Sequence, residues 1–277
     1  MHYDKQVLTS HNLLPKSIDE VTKLNVLMPI REPAPWLEQT LEGLSNQTLQ
    51  EWSLIAIIHG EDRTISKRIH EAGIPSDIVH VAETSTFSEV LNIGLTSCDA
   101  EYVARLDSDD IPMPMRFELQ VSVLDQYATC AVVGSSARLI DELGNNIGVR
   151  RVPTDVSKIR KLLTWKNCII HPSVMFRRSV ILSLGGYDEQ AIHVEDYDLW
   201  LRVAASHEIM NIETPLLAYR LHTGQITQTK SIPKSAGIAI YRSRLRLTNA
   251  QNKSKVFTHM KHFIWSLPQM KRRLTRD

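Results

Sequence analysis

Apolar and polar positions follow two rhythms along the chain, and the change comes near residue 110. Up to that point, short apolar runs alternate with segments of helical spacing. Residues 24–30, 52–58 and 78–81 read as strands, because short apolar runs bounded by Pro, Gly or polar residues suit buried strands. Pro29, Pro33 and Pro35 are expected to stop the first of them. Residues 36–46 carry apolar side chains at 37, 41 and 44, and 64–72 read as a helix closed by Gly73 and Pro75. In 87–95, Phe87, Val90, Leu91 and Leu95 share one helical side, and a fourth strand, 102–106, follows. Strand and helix in strict alternation imply parallel strands joined by helical crossovers. The first 110 residues are therefore expected to form a Rossmann-like half.

The second rhythm is mixed. Residues 116–127, 156–164, 180–184 and 196–206 read as helices, the last with Leu199, Trp200 and Val203 facing inward. Residues 131–140, 173–176 and 216–221 read as strands, and 141–147 as a polar hairpin tip. Trp36, Trp52 and Trp200 are assigned to the core. Beyond residue 235, apolar residues at 238, 240, 241, 245 and 247, then at 256, 257, 260, 263, 264 and 267, alternate with basic ones. That composition fits a basic amphipathic helix pair broken near 249–252. The pattern divides the chain into a lead-in (1–22), a main domain (23–229) and a basic extension (230–277).

Composition changes this picture in one respect. With 43% hydrophobic and 23% charged residues, the 277-residue chain is ordinary for a globular protein. No apolar run approaches the roughly 20 residues that span a bilayer. The polar surroundings of Asp4 and Lys5 lack a signal core, and Cys98, Cys130 and Cys168 have no metal spacing, so the expected compartment is the reducing cytoplasm. The net charge of +1, however, hides an asymmetry. Residues 230–277 hold 12 Lys/Arg and 1 acidic residue (12 − 1 = +11), and residues 1–229 hold 20 and 30 (20 − 30 = −10). A basic tail on an acidic body speaks of partners. It can fold over the body as a solvated helix pair. The sharper expectation is attachment to an anionic membrane surface, on its cytoplasmic face, through Lys/Arg beside Phe257, Phe263, Ile264 and Trp265. No nucleic-acid motif accompanies it, so no nucleic acid is expected.

The densest chemistry lies in residues 102–110, Tyr-Val-Ala-Arg-Leu-Asp-Ser-Asp-Asp. A strand that ends in Asp107, Asp109 and Asp110 puts carboxylates where open α/β sheets bind ligands. Like charges so close need solvation, pairing or a cation, and hard oxygen ligands suit Mg²⁺ or Mn²⁺ holding substrate phosphates. Neither a G-x-G-x-x-G nor a P-loop lysine is present, so a bound nucleotide would be held through that metal. By spacing alone the cluster can equally be a solvated turn that caps a helix. Likewise Glu195 and Asp196 can be the acidic first turn of a helix, and His222 a hydrogen-bonded structural histidine.

Taken together, the motifs resemble family 2 glycosyltransferases. The resemblance rests on 26–30 (Val-Leu-Met-Pro-Ile), Trp36-Leu37, Asn46-Gln47-Thr48, 91–95 (Leu-Asn-Ile-Gly-Leu) and the acidic segment. It continues through 132–135 (Val-Val-Gly-Ser), 171–178 (His-Pro-Ser-Val-Met-Phe-Arg-Arg), 185–188 (Gly-Gly-Tyr-Asp), 195–200 (Glu-Asp-Tyr-Asp-Leu-Trp) and Tyr219-Arg220 with His222. It implies a GT-A fold, a Rossmann-like nucleotide-binding half fused to a mixed-sheet acceptor half, and inverting transfer of a sugar from a nucleotide-sugar. A UDP-sugar is the expected donor, and a hydroxyl of a glycan or lipid-linked oligosaccharide the acceptor, in surface polysaccharide synthesis. Asp107 would lie near ribose and phosphates, Asp109 would bind Mn²⁺ or Mg²⁺, His222 would approach that metal, and Asp196 would be the general base. Pro29, Ile30, Arg31, Glu32, His59, Asn92, Arg105, Ser108 and Glu195 complete the expected substrate-binding set.

The chain departs from that family's pattern. Arg31-Glu32 stand where Tyr-Asn is usual, Ile58-His59-Gly60-Glu61 where Asp-Asp-Gly-Ser is usual, and Thr84-Ser85-Thr86 where Asn-x-Gly is usual. Arg31 can pair with phosphate, and His59 can bond to or stack on a base. The same departures motivate an alternative, a non-catalytic member that binds a partner or glycan. A nucleotidyltransferase would need a basic phosphate loop after the first strand, which Arg31 alone does not supply.

Overall fold

The computed structural model describes residues 22–31, 33–61, 63–223, 232–252 and 254–274, with side chains as far as residue 267. The first half is β1 (Leu24–Ile30), α1 (Leu37–Ser45), β2 (Trp52–His59), α2 (Arg63–Glu71), β3 (Ser76–Val81), α3 (Phe87–Ser97) and β4 (Tyr102–Arg105). β3, β2, β1 and β4 are neighbours in that order, and every pair is parallel, as expected of helical crossovers. Strand periodicity divides the interior into two cores. Val26, Met28, Leu54 and Ala56 face one side, while Leu27, Ile55 and Ile57 face the other.

Pro29 does not stop β1 but lies inside it, opposite Ile57. The Leu27 carbonyl accepts from Leu106 on the β4 side, and Pro29 has the same parity, so its missing N–H points past the end of β4. No ladder bond is lost there. α3 starts with a capping box in which Thr86 and Glu89 satisfy each other's backbone N–H groups. It sits so close to the sheet that a Cβ on Gly94 would meet Leu27 at 2.1 Å, so glycine sets that spacing.

The second half is β5 (Ile111–Pro112), α4 (Arg116–Gln126), β6 (Cys130–Ile140), β7 (Asn146–Arg150), α5 (Val156–Leu163), a 3₁₀ turn (His171–Ser173), β8 (Met175–Arg177), α6 (Arg178–Ser183), α7 (Glu195–Ser206) and β9 (Glu208–Arg220). β8 is antiparallel to β4 and to β6, whereas β9 is parallel to β6. The sheet thus becomes mixed where the sequence pattern does, consistent with the GT-A expectation.

Three elements differ from the pattern. Ser173 belongs to the 3₁₀ turn rather than to a strand. β5 forms across Pro112 because it is an edge strand, bonded to β9 alone. β9 starts at Glu208 rather than 216, because register shifts opposite Cys130–Val132 and Ser135–Ala137 carry the strand through Pro215.

The tail forms two helices, α8 (Lys234–Ala250) and α9 (Lys255–Leu274). Ala236, Ala239, Ile240 and Leu247 of α8 are buried in the core beside α7. Asp198 is 1% exposed; it accepts from Arg202 Nε (2.7 Å) and Ser243 Oγ (2.6 Å), joining α7 to α8. Trp265, expected at a membrane, instead packs inward, stacked on His262 and under the Arg244 guanidinium. Cys98 and Cys130 are buried free thiols and Cys168 is half-buried. Residues 1–21, most of the expected lead-in, lie outside the described residues.

Candidate active site

The parallel strands β2, β1 and β4 end on one side of the sheet, and the loop after β4 carries the acidic cluster. One carboxylate oxygen each from Asp107, Asp109 and Asp110 lies within 4.8 Å of the others. Buried Arg105 forms an ion pair with Asp107, so its contact is a carboxylate. Asp110 is buried; its Oδ1 accepts from the Arg220 N–H at 2.9 Å, but its Oδ2 has no hydrogen-bond partner among the described residues. Burial and then the charges of Asp107 and Asp109 hold the Asp110 carboxyl well above the usual carboxylate range. Burial and Asp107 raise Asp109 as well.

This arrangement fits a divalent cation: oxygen donors only, clustered, with one buried acceptor unsatisfied. Asp107 and Asp109 are the more accessible members of the cluster. His222 Nε2 lies 2.9 Å from Asp109 Oδ2, although 113 residues separate them. Carboxylate donors suit both Mn²⁺ and Mg²⁺.

Arg220 makes this convergence possible. It was legible as part of a motif, but its task was not. Its guanidinium donates to the carbonyls of Asp109, Asp141 and Glu142 and to Gln39 Oε1. One side chain thereby ties the acidic loop, the β6–β7 turn and α1 to the end of β9. Trp36, expected in the core, is half-buried at the same place. Its ring lies 4.8 Å from that of His222 and under the Arg220 guanidinium, and its Nε1 donates to the Glu142 carbonyl. Amphipathic rings commonly wall polar sites in this way, and helical periodicity cannot distinguish such a wall from a core position. Ser108 contributes its carbonyl, which accepts from Thr40 Oγ1 at 3.0 Å.

On the donor side, Pro29 and Ile30 are buried in the end of β1. Arg31 is exposed and donates to the Glu83 carbonyl at 3.1 Å. His59, at the end of β2, has a buried Nδ1 without a hydrogen-bond partner among the described residues. Burial and the neighbouring Arg31 charge lower its proton affinity, favouring the neutral ring. A neutral imidazole has one donor and one acceptor nitrogen, the kind of pair that a base edge can bond to. Glu32 lies outside the described residues.

On the acceptor side, Glu195 and Asp196 open α7. Asp196 is half-buried; it accepts from Asn167 Nδ2 and from the Tyr197 N–H, both at 2.7 Å. Burial raises its pKa, opposed by those two bonds and by the charges of Arg105 and Arg150. Asn167 carried no periodic or motif signal. Glu195 turns inward to accept from the His193 N–H at 2.9 Å, and burial lifts it from 4.5 to about 6. Asn92 holds the Tyr187 backbone at both its N–H and its carbonyl. A Cβ on Gly186, at φ +67, would meet the Asn92 amide at 2.4 Å. His171 Nε2 lies 3.0 Å from the Tyr187 hydroxyl and so braces this loop. Arg105 is ion-paired with Asp107, and its charge also opposes the rise of the Asp196 pKa.

Comparisons with known proteins agree with this geometry. The family described as "Glycosyltransferase like family 2" matches residues 26–265. The O-antigen biosynthesis glycosyltransferase WbnJ of Escherichia coli is 34% identical over 219 residues, 77% of this chain and 83% of that protein. The amylovoran biosynthesis glycosyltransferase AmsE of Erwinia amylovora is 30% identical over 217 residues, 76% of this chain and 80% of that protein. Among solved structures, S. aureus TarS 1-349 in complex with UDP-GlcNAc superposes with a TM-score of 0.68 at 12% identity, over 88% of this chain and 71% of that one. With the parallel half, the acidic loop and the mixed half in the order described, the chain belongs to glycosyltransferase-like family 2 and is a glycosyltransferase of GT-A-like fold.

Proposed function

We propose that this protein is a metal-dependent, inverting glycosyltransferase of surface polysaccharide synthesis. It moves a sugar from a UDP-sugar to a hydroxyl of a glycan or lipid-linked oligosaccharide, and it works at the cytoplasmic face of an anionic membrane. The observation that carries this reading is the acidic loop after β4, where carboxylate oxygens of Asp107, Asp109 and Asp110 lie within 4.8 Å of one another and His222 Nε2 stands 2.9 Å from Asp109. Asp196, at the start of α7, supplies a second carboxylate of different surroundings. The relatives named for O-antigen and amylovoran biosynthesis support the product class. The neighbours bound to UDP-GlcNAc, and to GDP-Man with Mn²⁺ (a mannosyltransferase at TM-score 0.57 and 13% identity), support a nucleotide-sugar donor and a divalent ion.

A divalent ion held by Asp109, with Asp107 and His222 beside it, would neutralise the charge that develops on a departing diphosphate. Arg31 and His59 orient the nucleotide from the ends of β1 and β2. The Asp196 carboxylate takes the proton of the acceptor hydroxyl while that oxygen bonds to the anomeric carbon. The bond from that carbon to phosphate breaks, and its electron pair leaves with the diphosphate. Asn167 and the Tyr197 N–H aim the carboxylate, and the N-terminal end of α7 favours its charged form. A single displacement with base and leaving group on opposite faces inverts the anomeric configuration.

Screening nucleotide-sugars for Mn²⁺-dependent turnover, with Asp196→Asn as control and NMR of the product's anomeric proton, tests the reading. One donor should turn over with inversion and fail in the variant. A variant as active as wild type would remove Asp196 as the base, and absence of turnover or nucleotide binding with any donor would favour the non-catalytic alternative.

A further inference from the structure

The two tail helices do opposite things with their apolar residues. α8 buries Ala236, Ala239, Ile240 and Leu247. α9 turns its polar and aromatic side inward instead. Thr258 is 5% exposed and bonded to Thr248, Lys261 Nζ donates to Thr164 Oγ1 at 2.7 Å, and Trp265 packs against Arg244 and Tyr197. Its outward side consists of Val256 (72% exposed), Phe257 (61%), Met260, Phe263 (61%), Ile264 and Leu267. These six recur at spacings of three and four, which is one stripe of a helix. Beside them, Ile238 and Tyr241 of α8 line a groove of about 280 Å³ shared with Phe263, so the apolar surface continues onto the neighbouring helix.

A contiguous apolar stripe of this size on a monomer's surface calls for an occupant. Charge selects which. Besides the inward Lys261, α9 by sequence contains Lys255, Lys271, Arg272 and Arg273 and no acidic residue. A second copy would set cation against cation. An anionic bilayer supplies both what the stripe and what the charges need, an apolar layer under negative headgroups.

We infer that the Val256–Leu267 stripe of α9 is the face on which the protein lies against an anionic phospholipid surface, while α8 is a structural helix that does not enter it. This rests on the membrane-side reading above and names the contact surface. The inward side of α9 is fastened to Thr164 and Trp165, the start of the loop whose Asn167 holds Asp196, so the docking helix is in contact with the segment that holds the proposed base.

Flotation of the full chain with phosphatidylcholine vesicles, with and without a quarter phosphatidylglycerol, tests the inference against a Phe257→Glu/Phe263→Glu variant. Wild type should partition at least about tenfold better onto the anionic vesicles and release at high salt. The variant should lose about 100-fold, since two buried rings are replaced by charges. Both mutated side chains face outward, so the variant's melting temperature and its nucleotide-sugar turnover on a soluble acceptor should match wild type. Wild type that stays with the soluble fraction, or a variant that floats equally well, overturns the inference. So does a concentration-dependent dimer, seen by analytical ultracentrifugation, that the variant abolishes without any vesicle binding. Turnover without flotation sinks this inference alone; flotation without turnover of any donor sinks the functional reading alone.

Discussion

The donor and acceptor halves both hold carboxylates with raised proton affinity, but for different reasons. Around Asp109 and Asp110, burial is joined by repulsion from neighbouring carboxylates. At Asp196 burial acts against two hydrogen bonds and two arginine charges. A cluster strained by like charge is relieved by a cation; a single carboxylate held by donors is poised for a proton. The same residue type serves two chemistries because its neighbours differ.

The sharpest break of this contrast is Asp196→Asn. Transfer should fall about 10³-fold, within the usual range for a general base, while isothermal titration should find donor affinity unchanged. Asp109→Asn should do the opposite at the level of binding. Donor affinity in Mn²⁺ should collapse to its value in EDTA, with transfer down about 100-fold, and the Mn²⁺-dependent rise in melting temperature should vanish.

Asn167→Ala sharpens the acceptor side. The proposed base must be ionised to act, so kcat/KM should fall on its acid limb as pH drops through a pKa that burial has raised from its ordinary value. Removing the Asn167 bond, which opposes that rise, should move the limb further up in a pH–rate profile. A limb that stays put would mean the amide does not tune the base. The smallest effect concerns Glu195, whose pKa is about 6 when folded against 4.5 ordinarily. A raised carboxylate pKa means stability is lost as pH rises from 4.5 towards 6. Glu195→Gln, which keeps an acceptor for the His193 N–H, should therefore stabilise the protein by about 2 kcal/mol at pH 7.5 and by nothing near pH 4 in chemical denaturation.

The parallel half was legible because its physics is local. Buried strands read as apolar runs, crossover helices as periodic stripes, and the acidic tip as charges no strand can continue. The acceptor half was less so. The start of β9 hides behind Pro215, since a bulge and a register shift are properties of paired strands rather than of one segment. Trp36 shows the same limit at the site. Its spacing marks a helix face, but whether that face meets core or cleft depends on where β9 delivers Arg220 and His222.

By itself the sequence determined the alternation of strand and helix, the three carboxylates after β4, the Glu195-Asp196 pair and the basic apolar tail, because each is written in contiguous residues. Only the tertiary structure decided that His222 meets Asp109, that Asn167 holds Asp196, that Asp198 is buried under α8, and that α9 wears its apolar stripe outward. Those are contacts between segments tens to more than a hundred residues apart. Chain order constrains such contacts only through packing, and packing is settled by the whole fold at once.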